Sequence, residues 1–343
     1  MTLPGAEKTD AMTEPAAYLN VDQSAEGQRW LLRDTDERTA LALSQRLDIP
    51  DAVGRVMASR GIGLDDGASF LAPTLRELLP DPSHLNDMDV AAERLAAAIM
   101  QDEGLAVFGD YDVDGATSSA LFKRFVESVG GRCRIYIPDR LREGYGPNAP
   151  ALLELAEGGA SVVVTVDCGT AAHEPLAVVR DAGLDVIVVD HHTAEAQLPP
   201  AVAVINPNRL DDDSEHGQMA AVGVAFLLIV AVNRTLREAG WYKDRPEPDL
   251  TQFLDLVALG TVCDVVPLTG VNRALVTQGL KVIGRRRNAG LRALADVSGV
   301  SEMPEAYHLG FVFGPRVNAG GRVGASDLGA QLLTTDDPAE ANK

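Results

Sequence analysis

The sequence predicts an α/β fold: a doubly wound, mainly parallel sheet with helices on both faces, preceded by a small helical N-terminal region. Two observations carry that prediction. Between residues 105 and 205, short runs rich in Val and Ile alternate with helix-length stretches whose apolar residues recur every three or four positions, the pattern of strand–helix–strand units. The runs are also apolar almost throughout, as strands covered on both sides are.

Taken in order, residues 1–27 are polar and aperiodic and read as disordered. Residues 28–86 hold short helical stretches at 39–47 and 52–60, broken by Pro and Gly, and the phrase Phe70-Leu71-Ala72-Pro73; they form a helical lead-in. The main domain spans 87–330. It opens with a helix at 90–100 and a strand at 105–109. A helix at 116–129 closes on Gly130-Gly131. A strand at 133–137, helix at 149–156, strand at 161–166, helix at 171–182 and strands at 185–189 and 202–205 complete the alternation, with right-handed crossovers expected. Helices follow at 219–239, 250–259, 274–283 and 291–295. Residues 314–324 are Gly-rich and basic. Residues 331–343 begin a further helix, at 338–343, that runs to the last residue, as expected of a fragment.

The chain has 343 residues, 46% of them hydrophobic, enough for two domains and a sizeable core. No apolar run reaches the roughly 18 residues of a membrane span, and the N-terminus lacks a basic segment followed by an apolar one. Cys133, Cys168 and Cys263 form no C-x-x-C pair; reduced thiols and a cytoplasmic location are the simplest reading. The formal net charge of −20 argues against nucleic-acid binding unless bound cations offset it, since attraction to phosphate needs positive potential. Local basic groups are Arg132 with Arg134, Arg140 with Arg142, Arg285–Arg287, and Arg316 with Arg322.

Ligands of doubly wound sheets bind beyond the carboxyl ends of the strands, and here those ends carry acids. Asp110, Asp112 and Asp114 follow the first strand, Asp167 the third, and Asp190-His191-His192 the fourth; Asp264 follows a later helix. Any one of these Asp residues could be a helix cap or turn residue. Together they suit a cluster holding two divalent ions, with carboxylate and imidazole favouring Mn²⁺ or Mg²⁺. The period-two spacing of Asp110, Asp112 and Asp114 suggests an extended segment with all three on one side, and Gly115 a sharp turn after it. An EF-hand also begins this way, but its twelfth loop position, an acid, is Leu121 here. One ion is assigned Asp110 and Asp112, the other Asp114, His191 and Asp264, with Asp167 bridging; two such ions suit phosphoester hydrolysis. His192 faces the phosphate, and Asp190 orients an imidazole. His192, Asp167 and Asp114 are the candidate catalytic residues. His84, His173, His216 and His308 read as structural or surface residues, and Asp211–Asp213 as a solvated loop.

Four phrases, in this order, resemble the motifs of the DHH phosphoesterases: Phe108-Gly109-Asp110-Tyr111-Asp112-Val113-Asp114-Gly115, Val166-Asp167-Cys168-Gly169, Asp190-His191-His192, and Gly260-Thr261-Val262-Cys263-Asp264-Val265-Val266-Pro267-Leu268. Arg60-Gly61-Ile62, Glu143-Gly144-Tyr145-Gly146 and Gly314-Pro315-Arg316-Val317-Asn318-Ala319-Gly320-Gly321-Arg322 narrow the likeness to the RecJ family, from about Trp30 onward. That resemblance implies a DHH domain, two Mn²⁺ (or Mg²⁺) ions and 5′→3′ removal of nucleotides from single-stranded DNA in recombination and repair. It implies single-strand-binding protein and a helicase as candidate partners, and no membrane association. It implies that Arg316 and Asn318 lie near the nucleic-acid backbone; Arg322 completes the candidate substrate-binding set. The family core is normally followed by a Gly-Gly-His substrate-holding domain and an OB-fold, which these residues do not hold, so weak DNA binding is expected. Hydrolysis of short oligonucleotides or cyclic dinucleotides, and a non-catalytic DHH scaffold, are the alternatives.

Overall fold

The computed structural model describes residues 16–343. The proposed disorder of the first 15 residues lies outside that range. The chain forms two compact units, dividing between Ala72 and Pro73. The smaller carries helices α1 (Glu37–Leu47), α2 (Asp51–Ala58) and α3 (Gly67–Leu71). Asp36 caps α1, accepting from Arg38 N at 3.0 Å, and Leu43 and Met57 are buried where α1 and α2 pack.

The larger unit begins with α4 (Leu75–Leu78) and α5 (Met88–Met100) and then alternates: β1 (Gly104–Gly109), α6 (Val113–Ser128), β2 (Arg132–Tyr136), α7 (Arg140–Glu143), α8 (Ala149–Glu157), β3 (Ala160–Val166), α9 (His173–Asp181), β4 (Asp185–Val189) and β5 (Ala203–Ile205). Helices follow: α10 (Ala221–Glu238), α11 (Leu254–Cys263), α12 (Gly270–Gly284), α13 (Ala289–Val297), α14 (Ala306–His308), α15 (Gly314–Val323), α16 (Leu328–Thr334) and α17 (Pro338–Asn342). No helix among the described residues is long and apolar enough to cross a membrane.

The five strands form one parallel sheet in the order β2-β1-β3-β4-β5. The side-chain period of two sorts its residues between two cores. Leu105, Val107, Val162, Val164, Val166, Ile187 and Val189 join the core made with α5, α6, α10 and α11. Ala106, Phe108, Val163, Val186 and Val188 join the other, with Leu152 and Leu155 of α8 and Leu176 and Val179 of α9. Both faces are therefore covered, which is why the strands read as unbroken apolar runs. The order reverses between β1 and β3, leaving a crevice at their carboxyl ends.

Two local readings are corrected. The chain is not extended through Asp114. Asp112 is the last extended residue, and its side chain accepts from Gly115 N at 3.0 Å, so α6 starts at Val113. Asp114 and Gly115 lie in its first turn. Gly115 makes no sharp turn; a Cβ there would stand 2.3 Å from Asp110 O, so glycine permits the close return of helix on strand end. The Gly-rich stretch 314–324, to which the sequence alone assigns no conformation, is mostly helical. It follows a π-helical turn at Leu309–Phe313 and buries Val317.

Candidate metal centre

Each strand end at the crevice delivers its polar residue for a local reason. Asp110 leaves β1 with its N–H still in the sheet ladder, donating to Val166 O at 3.3 Å. Asp167 leaves β3 in the left-handed region, φ 60°, donating its N–H to Val189 O. Asp190 leaves β4, donating to Ile205 O. Asp264 caps the C-terminus of α11, which Val265 ends at φ 61°.

Three groups of donor atoms result, each within 4.8 Å: Asp110, Asp112 and Asp167; Asp114, His191 and Asp264; and Asp167, His191 and His192. Asp167 is shared by two of them. His191 Nε2 stands 3.2 Å from Asp167 Oδ1, and its Nδ1 3.7 Å from Asp264 Oδ2. The other four histidines belong to no such group among the described residues.

Asp110 Oδ1, Asp167 Oδ1, Asp264 Oδ2 and His191 Nε2 are buried with no hydrogen bond directed at them, the approach of His191 Nε2 to Asp167 Oδ1 being an ion-pair contact only. Such atoms are rare in folded proteins, because an unpaired buried polar group is costly. Burial pushes the Asp110 carboxyl up to about 7, with Asp112 adding to the effect. Burial and neighbouring carboxylates also raise Asp114 and Asp167 well above the usual carboxylate range, and burial raises Asp264 against the pull of His191. Hard oxygen donors left bare and crowded in this way fit divalent cations, which would reverse the repulsion.

Asp114 is tied elsewhere as well. Its two oxygens accept from Ala221 N at 2.7 Å and Val222 N at 2.9 Å, at the N-terminus of α10, where Ala220 has no side-chain cap. An ionised carboxylate retains further lone pairs, so these bonds orient it without exhausting it. A Cβ at Gly260 of α11 would stand 3.1 Å from Asp114 Oδ1 and 2.3 Å from Thr117 Oγ1; the helices can close on Asp114 only because residue 260 has no side chain.

Asp190 makes no free donor. Its Oδ1 accepts from His192 Nδ1 at 2.7 Å and from His191 N at 2.8 Å, its Oδ2 from Thr170 N at 3.0 Å. Burial opposes its ionisation, but the His192 and Thr170 bonds overcome that and hold it at about 2. The same bond raises the pKa of His192, whose half-exposed ring then turns Nε2 away from Asp190.

Sequence reasoning passed over several supports. Asn206 Nδ2 donates to His192 O at 2.8 Å and to Thr170 Oγ1 at 3.0 Å, and Asn208 Nδ2 donates to His191 O. Both follow β5, the strand-end position that elsewhere carries Asp. Tyr145 donates its hydroxyl to Asp167 O at 3.3 Å and sets its ring edge-on to His192, bordering a cavity of about 350 Å³ with Thr170, Pro175 and Thr193. Arg140 lies 4.5 Å over the Tyr111 ring.

Arg316, Asn318 and Arg322 all sit on α15, which passes along this edge. A Cβ on Gly314 would stand 2.4 Å from Cys263 Sγ, and one on Gly321 3.5 Å from Tyr111 O. Arg316 and Arg322 are exposed; Arg316 Nη1 donates to Val312 O at 2.7 Å. Burial raises the Tyr111 hydroxyl pKa, and Arg140 and Arg322 oppose it. Arg132, Arg134 and Arg286 pair with Asp102, Glu154 and Asp296.

Residues 105–261, which carry the parallel sheet and its edge of acids and histidines, match the DHH family, N-terminal domain. The chain belongs to the DHH family. Within it the chain is similar to proteins named single-stranded-DNA-specific exonuclease RecJ: 40% identical over 298 residues to that of Dickeya dadantii and 37% identical over 314 residues to that of Escherichia coli. These alignments cover 85% and 90% of the chain. A crystal structure of RecJ from Thermus thermophilus in complex with Mn²⁺ superimposes with a TM-score of 0.74 at 33% identity, covering 91% of this chain and 43% of that one. The chain spans about half the length of the two sequence relatives, 51% and 53%.

Proposed function

We propose that this chain is the catalytic core, residues 87–330, of a metal-dependent phosphodiesterase that removes nucleotides from the 5′ end of single-stranded DNA in recombination and repair. One observation carries the reading: unpaired buried acids and an imidazole converge on the crevice at the ends of β1 and β3. The names of the relatives support the substrate, and the Thermus structure supports Mn²⁺, with Mg²⁺ as the alternative.

In this reading Asp110 and Asp112 hold one ion, Asp114, His191 and Asp264 the other, and Asp167 is shared between them. A bound pair would supply water activation and charge neutralisation at the attacking and leaving oxygens. The protein's own contribution is orientation. Asp190 fixes the His192 ring through Nδ1, leaving Nε2 to donate to a non-bridging phosphoryl oxygen. Asn206 holds the same residue by its carbonyl. Arg316, Asn318 and Arg322 on α15 would take the strand's phosphates. We place the protein in the cytoplasm, with single-strand-binding protein and a helicase as the partners that present its substrate.

The test is digestion of a 5′-phosphorylated single strand with Mn²⁺, compared with duplex and with a dinucleotide. Release of nucleotides from the single strand in preference to duplex is expected. Preference for the dinucleotide would redirect the reading to a short-oligonucleotide hydrolase, and no Mn²⁺-dependent cleavage of any of the three would end it.

A further inference from the structure

Among the Phe, Tyr and Trp residues described in the larger unit, three are exposed: Tyr145, Tyr307 and Phe311. Tyr145 borders the crevice. The other two form a stacked pair, with centroids 5.2 Å apart and planes 26° from parallel. They are 63% and 72% exposed and belong to neither hydrophobic core. The segment itself is firmly seated. Leu309 and Phe313 are fully buried, and Cys263 Sγ donates to Leu309 O at 3.5 Å. Cys263 precedes Asp264, so the rings ride on the end of the helix that delivers a candidate ligand.

The segment leads directly to the crevice. The π-helical turn Leu309–Phe313 joins α14 to α15 without a break, and Arg316 folds back onto Val312 O. Two rings and a guanidinium thus follow one another on one continuous helical run, which reaches Gly321 beside Tyr111 O. Two acids lie beside His308, and only one of them meets its imidazole. Glu302 pairs with His308 at 3.4 Å, and Glu305 closes a capping box with the same residue.

We propose that Tyr307 and Phe311 form a base-stacking platform for single-stranded nucleic acid, gripping the strand beyond the nucleotides seated in the crevice, with Arg316 taking a phosphate between the two. Flat exposed rings beside a cation match what an unpaired strand offers, since every base has a π-face and every linkage a charge. The proposal rests on the phosphodiesterase reading for the direction of the strand, but the platform is tested by binding alone.

The probes are an oligothymidylate of about 20 nucleotides and a thymidine dinucleotide, with affinity read by fluorescence anisotropy and KM from Mn²⁺-dependent cleavage. The double variant Tyr307→Ala/Phe311→Ala should bind the long probe about tenfold more weakly or worse. Its KM for that probe should rise, with kcat and the dinucleotide KM moving less than about twofold. Phe311→Trp, which keeps a stacking face, should hold long-probe affinity at or above the parent level. The platform is overturned if the double variant binds the long probe as tightly as the parent, or if both probes lose affinity equally. It is also overturned if the parent chain does not bind the long probe. Loss of self-association in the double variant with DNA binding intact would assign the rings to a protein contact, again against the proposal. Intact binding without cleavage of either probe leaves the platform standing and refutes the phosphodiesterase reading instead.

Discussion

Replacing Asp167 by Asn separates the cost of the charge cluster from its use. Asp167 is 2% exposed, and its pKa is raised by burial and then by Asp114, Asp112 and Asp110. Two like charges within 4.8 Å of each other repel by about 3 kcal/mol or more at an effective dielectric of roughly 20. Part of that is already relieved, because Asp110, at about 7, is half-protonated near neutrality. Asn keeps the shape and is well tolerated at φ 60°. Without metal, Asp167→Asn should therefore be more stable than the parent by about 1–3 kcal/mol, a rise in Tm of roughly 2–6 °C for a unit of this size. With Mn²⁺ the order should invert. A site filled to about 1,000 times its Kd adds about 4.1 kcal/mol to the parent, and the variant, lacking the shared carboxylate, should gain little. Thermal melts in EDTA and across a Mn²⁺ titration, with stoichiometry from calorimetry, read both arms. A variant that melts below the parent in EDTA yet gains as much from Mn²⁺ would refute the account of the cluster.

Three further outcomes are expected. Asp110, Asp114 and Asp167 bind protons more tightly folded than unfolded, so the metal-free protein should lose stability as pH rises from about 4 through 7, while Mn²⁺ affinity increases over the same range; melts and titrations at pH 5.5 and 8 that agree would contradict this. Val265, at φ 61° and 86% exposed, is a β-branched residue in the left-handed region, so Val265→Gly should raise Tm by about 1–2 °C through relief of roughly 0.5–1 kcal/mol; a lower Tm would reveal a contact made by its side chain. Gly260→Ala drives a methyl to 2.3 Å from Thr117 Oγ1 and 2.7 Å from Val222 Cγ1, which should cost about 1–3 kcal/mol and weaken the Mn²⁺-induced shift; a melt matching the parent with and without Mn²⁺ would show that the helices give way.

The sheet was legible because its central strands β1, β3 and β4 are short apolar runs each followed by an Asp; the strand expected at residues 185–189 is β4 with the same limits. Candidate ligands were legible for a related reason, since a strand end in a doubly wound sheet is a functional position wherever it falls in the chain. Local rules failed where tertiary contact decides. The first turn of α6 looked extended because Asp112 and Asp114 flank a Val, and the cap on Gly115 became visible only in three dimensions. The helix α15 was hidden by Gly314, Gly320 and Gly321, whose low helix propensity is offset by packing against Cys263 and Gly329. Nothing in sequence pairs Asp114 with Ala221 and Val222, 107 and 108 residues away.

That remote pairing ties the charge centre mechanically to the interior. The 18-residue α10 is buried along most of its length, and its leading amides are held by a side chain that also faces the candidate cations. Its positive end supplies a standing counterweight to the acids when no cation is there. A change in how Asp114 is shared between amides and ions pulls on the first turn of a helix wedged between α5 and α6, so filling the centre would be felt as tightening deep in the protein rather than only at its rim.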